Sequence, residues 1–330
     1  MSFFGLGGTS SAHIEIALNE DTDAKWVNGK RLYSGSEDVA GTVVVTPTGA
    51  KGRLEHQGIK IELLGRIKGR TKNGSLDYKF TSLVRDLCPP GVLHERTAFD
   101  FSFNSVEKEF ESYAGKQVKL RYYLRVKVHR SYNTALQQEL DFKVQNITEE
   151  ESDVTANSPV IKQPVGIADC LHIEFEFPRS HWYLDDIVEG QIDFKLVRIK
   201  VEYMELSLLR VETVGSGKDR VTTETRVCDF EVMDGAPIKG ESIPIRLFLK
   251  PLTKLSPSFG NVHNKFSVNY FLKMTLVDDD KRNFFKKCPI TLLRRQLKYQ
   301  TTQEMNESRL RREQRAAGIG DSATDGELGA

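Results

Sequence analysis

Val118-Lys-Leu-Arg-Tyr-Tyr-Leu-Arg-Val-Lys-Val-His129 alternates without a break. Val118, Leu120, Tyr122, Leu124, Val126 and Val128 are apolar, and Lys119, Arg121, Tyr123, Arg125, Lys127 and His129 lie between them. Successive side chains on a strand point to opposite faces, so this pattern describes a long strand with one face in a core and one in water. A second strand follows Cys170, where Leu171, Ile173, Phe175 and Phe177 alternate with His172, Glu174 and Glu176. Similar runs occur at His13–Leu18, Gly41–Val45, Ile59–Ile67, Phe99–Phe103, Gln191–Leu196, Ile243–Leu249 and Phe266–Val277, set off by Gly, Pro, Asn and Asp. No internal segment sustains a helical period; a single helical turn is expected at Ser82–Leu87, stopped by Pro89 and Pro90. The chain reads as all-β.

The strands also repeat. Glu95-Arg-Thr-Ala-Phe-Asp-Phe-Ser-Phe103 resembles Glu241-Ser-Ile-Pro-Ile-Arg-Leu-Phe-Leu249, and Arg121-Tyr-Tyr-Leu-Arg-Val126 resembles Asn269-Tyr-Phe-Leu-Lys-Met274. Tyr33…Val39-Ala-Gly41 resembles Tyr183…Val188-Glu-Gly190. The three matches keep their order at offsets near 150 residues, which points to a duplicated unit; generic similarity between sandwich strands is the alternative. Two β-sandwiches in tandem fit 330 residues. The expected organisation is a flexible N-terminus over residues 1–12, a sandwich over 13–146, an acidic and polar linker over 147–166, a second sandwich over 167–297 and a disordered tail over 298–330.

Composition excludes several functions. Forty-seven Lys and Arg against forty-six Asp and Glu leave a formal charge of +1. Phosphate neutralisation dominates nucleic-acid affinity, so a balanced chain argues against that class. Residues 294–330 carry seven basic and six acidic side chains, so that +1 belongs to the tail and the body is neutral. The apolar runs are too short for a transmembrane helix. Cys88, Cys170, Cys228 and Cys288 are far apart and fit a reducing compartment. The first residues do not read as a signal peptide. A cytosolic protein is expected.

Chemical constellations are scarce. His172, Glu174 and Glu176 share a strand face, but alternate residues stand roughly 6.5–7 Å apart, too wide to clamp one small cation. They read as a solvent-facing polar row. Lys119, Arg121, Arg125 and Lys127 read as a solvated face, with an anionic partner as the alternative. Glu205, Asp278, Asp279 and Asp280 have no evident catalytic partner, and Gly5-Leu-Gly-Gly8 lacks the strand and lysine of a phosphate loop. Neither an enzyme site nor a metal or cofactor site is expected. Val232 and Met233 precede the turn dipeptide Asp234-Gly235. On composition they read as strand-end core, with an exposed anchor as the alternative.

Four longer strings carry a family resemblance: Arg53-Leu-Glu-His-Gln-Gly-Ile59, Asp169-Cys-Leu-His-Ile-Glu-Phe-Glu176, Met233-Asp-Gly-Ala-Pro-Ile-Lys-Gly-Glu-Ser-Ile-Pro-Ile-Arg-Leu-Phe-Leu249 and Asn264-Lys-Phe-Ser-Val-Asn-Tyr-Phe-Leu272. The chain resembles the vacuolar protein sorting 26 family, the arrestin-fold subunit of the retromer coat, over about residues 13–297. The resemblance implies two arrestin-like β-sandwiches and a non-catalytic coat component. It would be cytoplasmic, peripheral on endosomes, and active in retrograde and recycling transport. It implies that Val232, Met233 and Asp234 bind the α-solenoid subunit of retromer directly, which reverses the core reading of that pair and predicts an aspartate double substitution with little effect on melting. The third retromer subunit would join through the solenoid.

The resemblance also implies that Phe285, with Phe284, contacts cargo tails or a phosphoinositide-binding sorting nexin, by strand addition at Arg282-Asn-Phe-Phe-Lys-Lys287. A buried strand-end Phe is the alternative. Membrane contact would be mostly indirect. Ser34 replaces an acidic residue common in relatives, which weakens the case for a PDZ-bearing nexin, and Arg66–Ser82 is unusually basic. The competing assignment is an arrestin-related adaptor that regulates receptors or recruits a ubiquitin ligase; its PPxY motif is absent, since Pro89-Pro-Gly-Val92 is not one.

Overall fold

The computed structural model describes residues 12–20, 23–48, 52–131, 134–148, 158–167, 169–235 and 237–316. In the first half, β1 (Ala12–Leu18), β4 (Val39–Pro47) and β9 (Thr97–Phe103) form one sheet in that order. The facing sheet contains β2 (Lys25–Val27), β3 (Lys30–Tyr33), β6 (Ile59–Thr71), β7 (Gly74–Cys88), β10 (Tyr113–Ala114), β11 (Val118–Val128) and β12 (Leu136–Val144). Strands β5 (Leu54–His56) and β8 (Gly91–Leu93) pair alone. In the second half, β13 (Ile161–Ile167), β14 (Leu171–Phe177), β16 (Ile187–Val197) and β19 (Ser242–Phe248) form one sheet. Its partner contains β15 (His181–Tyr183), β17 (Val201–Val214), β18 (Val221–Asp234), β20 (Phe259–Val262), β21 (Phe266–Asp278) and β22 (Asn283–Leu293). The last elements are β23 (Gln300–Thr301), which joins β2, and α1 (Thr302–Ala316).

The two halves repeat one topology. The strand order β3-β12-β11-β6-β7 matches β15-β22-β21-β17-β18 position for position. In each, the first pair is parallel and the others are antiparallel, and a short strand, β10 or β20, adds to the central one. The matched glycines have the same purpose. A methyl on Gly41 would collide with the Ala17 carbonyl oxygen, and one on Gly190 would stand 2.8 Å from the carbonyl oxygen of Glu176. Both strands therefore need a residue without Cβ where a neighbouring strand crosses closely. Gly41→Ala should lower stability by about 1–3 kcal/mol, as overpacking does, read as a lower urea midpoint with an unchanged slope.

The opening pattern survives in detail. Val118, Leu120, Tyr122, Leu124, Val126 and Val128 are all buried, as are Leu171, Ile173, Phe175 and Phe177. Tyr123 is buried too, although it lies on the outer face. The Arg121 and Arg125 guanidinium groups cover its ring at 3.9 and 5.3 Å.

Three local expectations change. Ser82–Leu87 is not a helical turn but part of β7, paired with β6 from Ser82 to Asp86, with Leu87 the extra residue of an irregularity. Irregularities at Ile59/Lys60 and Gly65/Arg66 break the period-two signal there. The second half of the expected linker forms β13, an edge strand that tolerates Pro164. The tail region carries β23 and α1 through Ala316. Thr301 and Glu304 form a capping box, with the Thr301 N–H donating to Glu304 Oε2 at 2.8 Å and the Glu304 N–H donating to Thr301 Oγ1 at 3.3 Å. Residues 1–11, 149–157 and 317–330, where the remaining terminal and linker expectations fall, lie outside the described residues. Among the described residues no helix is long and apolar enough to cross a membrane.

The sandwiches meet through aromatic and polar contacts. His263, at the turn before β21, sits 5.2–5.7 Å from the rings of Tyr78, Phe80 and Phe110. Buried Glu212 of β17 accepts hydrogen bonds from Tyr113 Oη at 2.8 Å and from the Lys116 and Gln117 N–H groups at 3.2 and 3.0 Å. Buried Arg294 donates to both oxygens of buried Glu111 at 2.6 and 3.0 Å.

Candidate functional site

The C-terminal sheet that begins with β15 ends on β18, whose outer side has no strand partner among the described residues. Its other flank is also unpaired in part, although β13 of the facing sheet approaches β22. Strand β15 takes only Thr291–Leu293 of β22, so among the described residues Asn283–Ile290 pair with β21 alone. Unpaired edges expose rows of N–H and C=O groups that can accept an added strand. Two strands, β21 and β17, separate the open flanks, a distance of about 14 Å at roughly 4.8 Å per strand. A partner on one need not obstruct the other.

On the β18 edge, Val232 is the extra residue of a bulge, between the Met204–Met233 and Glu205–Glu231 pairs. A bulge places two consecutive residues opposite one and re-aims their side chains. Val232 and Met233 are half-buried and pack against the core, while Asp234 is exposed. The pair is thus shared between core and surface, which neither sequence reading anticipated. Phe230 and Ile238 flank it at 41% and 75% exposure. Sequence reasoning passed over both; the signal for Ile238 was an apolar side chain in a Gly/Pro turn. Gly235, at φ +103°, turns the chain and donates to the Glu202 carbonyl at 2.8 Å.

On the β22 edge, the neighbouring phenylalanines separate. Phe284 packs inward against the core, and Phe285 stands outward at 58% exposure. The buried strand-end alternative therefore describes Phe284 and not Phe285. Lys273 Nζ lies 4.9 Å from the Phe285 ring centre, leaving part of the ring open. The turn feeding this edge is pinned by Asp278, whose buried carboxylate accepts from the Arg282 N–H at 2.8 Å and from its guanidinium at 2.7 Å. Burial pushes that carboxyl up, but the Arg282 hydrogen bonds outweigh it and hold it below the usual range. Asp278, Asp279 and Asp280 gather their oxygens within 4.8 Å, and Arg282 already supplies a counter-charge.

The polar rows are accounted for by neighbours. His172 reaches Glu174 at 3.2 Å and Glu176 reaches Lys162 at 3.1 Å. Arg121, Arg125 and Lys127 pair across strands with Asp141, Glu139 and Glu62, whereas Lys119 makes no ion pair among the described residues. At the turn after β3, the Ser34 N–H and hydroxyl both donate to Glu37 at 3.0 Å, and Lys25 binds the same carboxylate. Buried Lys108 ties this turn down by donating to the carbonyls of Gly35, Glu37 and Val106 at 3.0, 2.6 and 2.7 Å. Burial lowers its ammonium pKa to about 8.

Comparison with known proteins adds a family to this geometry. The family model for vacuolar protein sorting-associated protein 26 matches residues 9–281. That span contains Val232, Met233 and Asp234 and stops short of Phe284 and Phe285. A protein named vacuolar protein sorting-associated protein 26 from Caenorhabditis elegans is 46% identical over 301 residues, covering 88% of this chain and 82% of its own length. Its Dictyostelium discoideum namesake is 41% identical over 304 residues, covering 89% and 85%. The human vacuolar protein sorting-associated protein 26B is also 41% identical, covering 89% and 88%.

Proposed function

Because this chain belongs to the vacuolar protein sorting-associated protein 26 family, we propose that it is the non-catalytic β-sandwich subunit of retromer on the cytosolic face of endosomes. The observation that carries the reading is the pair of open flanks on one sheet, each with apolar side chains at its rim. In this proposal the β18 edge docks the α-solenoid subunit through Val232, Met233 and Asp234, with Phe230 and Ile238 extending the apolar surface. The third retromer subunit joins through the solenoid. The β22 edge receives an extended cargo tail by backbone pairing along Asn283–Ile290, with Phe285 against a cargo side chain and a phosphoinositide-binding sorting nexin alongside. Membrane contact is peripheral and made mostly through these partners, as retrograde and recycling transport requires.

The test uses the purified full chain with the solenoid subunit, and separately with nexin and a cargo-tail peptide. Co-elution with the solenoid is expected. Phe285→Ala should weaken cargo and nexin binding by roughly fivefold or more, the loss of an aromatic anchor, and leave solenoid binding unchanged. Failure of the solenoid to co-elute would remove the first half of the proposal; unaltered cargo and nexin affinities would remove the second.

A further inference from the structure

After β22 the chain crosses back to the N-terminal sandwich, where the Lys298 N–H donates to Gln145 Oε1 at 2.8 Å and Trp26 Nε1 donates to Thr302 Oγ1 at 3.1 Å. Beneath this strap lies a cavity of about 980 Å³. Its walls come from the β2–β3 turn, the loop after β19, and the strap with α1. Trp26, Leu252, Leu255 and Met305 give it an apolar side. Six cations also line it. Three of them are engaged: Arg294 with Glu111, Arg295 with Asp185, and Arg309 with Glu313.

Lys250, Lys298 and Arg312 make no ion pair among the described residues, and they reach the same hollow from three separate segments. Of the two carboxylates among the described lining residues, Asp185 is taken by Arg295, and Glu20 remains as a counter-charge. Like charges gathered in one concave space focus a positive potential and favour an anion. Lysine and arginine recognise phosphate oxygens, and cavities of about 300–1,000 Å³ suit small ligands. The cations surround one hollow instead of following a stripe, so the matching anion is compact and multiply charged, with a ring that can lie on the apolar side. We propose that this cavity binds an inositol polyphosphate, either as a free molecule or as a lipid headgroup. The inference does not rest on either partner edge.

The full chain would be titrated calorimetrically with inositol hexakisphosphate. Tryptophan fluorescence is followed in parallel; of the chain's two tryptophans, Trp26 lines the cavity and Trp182 is buried elsewhere. Saturable binding with a fluorescence change is expected. Lys298→Glu with Arg312→Glu should weaken it at least tenfold at unchanged unliganded melting temperature, and Lys250→Glu alone should weaken it less. Lys298→Arg with Arg312→Lys should keep binding near the starting level, as should Lys119→Glu, which reverses an unpaired cation outside the cavity. Phosphatidylcholine vesicles with and without phosphatidylinositol phosphates separate the sources. Binding to the soluble ligand and the charged vesicles points to a headgroup, and to the soluble ligand alone to a free molecule. Absence of saturable binding, equal loss in Lys119→Glu, vesicle binding without soluble binding, or preference for a polyglutamate peptide would each overturn the proposal.

Discussion

Val232→Asp combined with Met233→Asp should reduce solenoid binding by roughly 100- to 1,000-fold, since hot-spot side chains contribute about 2 kcal/mol or more each. The same double substitution should also lower the melting temperature. Both side chains pack against the core from half-buried positions, and an aspartate there gives up apolar contact and is partly desolvated, at a cost of about 1–3 kcal/mol. In a sandwich of this size each kcal/mol corresponds to roughly 2–4 °C. The sequence-based expectation of an unchanged melting temperature is therefore revised. Ile238→Asp separates the two effects, because Ile238 is exposed and has little packing to lose. It should weaken solenoid binding by roughly fivefold or more at constant melting temperature. If Ile238→Asp binds normally, and the double variant loses binding only in proportion to its unfolded fraction, the β18 edge is not the docking surface.

Arg294→Met should cost about 3–5 kcal/mol, the penalty for stranding a buried charge. Glu111 would keep the hydrogen bond from the Asn146 N–H at 3.0 Å and lose both from Arg294. Burial already pushes the Glu111 carboxyl up, against the opposing pull of Arg294. Without the arginine it rises further, so the folded variant takes up a proton that the unfolded chain, near pH 4.3 for glutamate, does not yet hold. A folded-state pKa above the unfolded one gives stability that is present at low pH and lost as pH rises through the folded value. The deficit of Arg294→Met should therefore shrink as pH falls from 8 toward 5. Urea unfolding at several pH values checks this; a deficit independent of pH would mean that Glu111 is not the group left stranded. Glu111→Leu with Arg294→Met should recover part of the loss, the remainder being the orphaned Asn146 N–H.

The fold was legible wherever one strand face was buried and the other wet. Val118–Val128 and Leu171–Phe177 carry that contrast at every position, so burial repeats the alternation residue by residue. Tyr123 was the exception, because its cover is two guanidinium groups and not a second sheet. The Ser82–Leu87 part of β7 was illegible for the opposite reason: Ser82–Asp86 are exposed in a row, and the irregularities on either side shift the alternation that Leu76, Tyr78 and Phe80 keep against the core. The capping box at Thr301-x-x-Glu304 was present in the sequence, but α1 lacks the apolar stripe that normally draws attention to a helix.

The candidate site divides along the same line. The string around Val232 and Met233 and the Phe284-Phe285 pair were visible as residues. The aim of Val232 and Met233 was not, because one register irregularity decides which side of a strand a side chain leaves. Phe284 and Phe285 lie in an unbroken register, where adjacent residues take opposite faces.

By itself the sequence determined the class, the repeat and the residues worth testing, since these follow from local alternation, spacing and side-chain chemistry. Only the tertiary structure decided that β18 and the first part of β22 are open flanks of one sheet. It alone brought Glu111 to Arg294 and placed Lys250, Lys298 and Arg312 around one cavity. The physical reason is separation along the chain: edges and junctions arise where distant segments, such as Glu111 and Arg294 or Trp26 and Thr302, meet or fail to meet, and no local period records that.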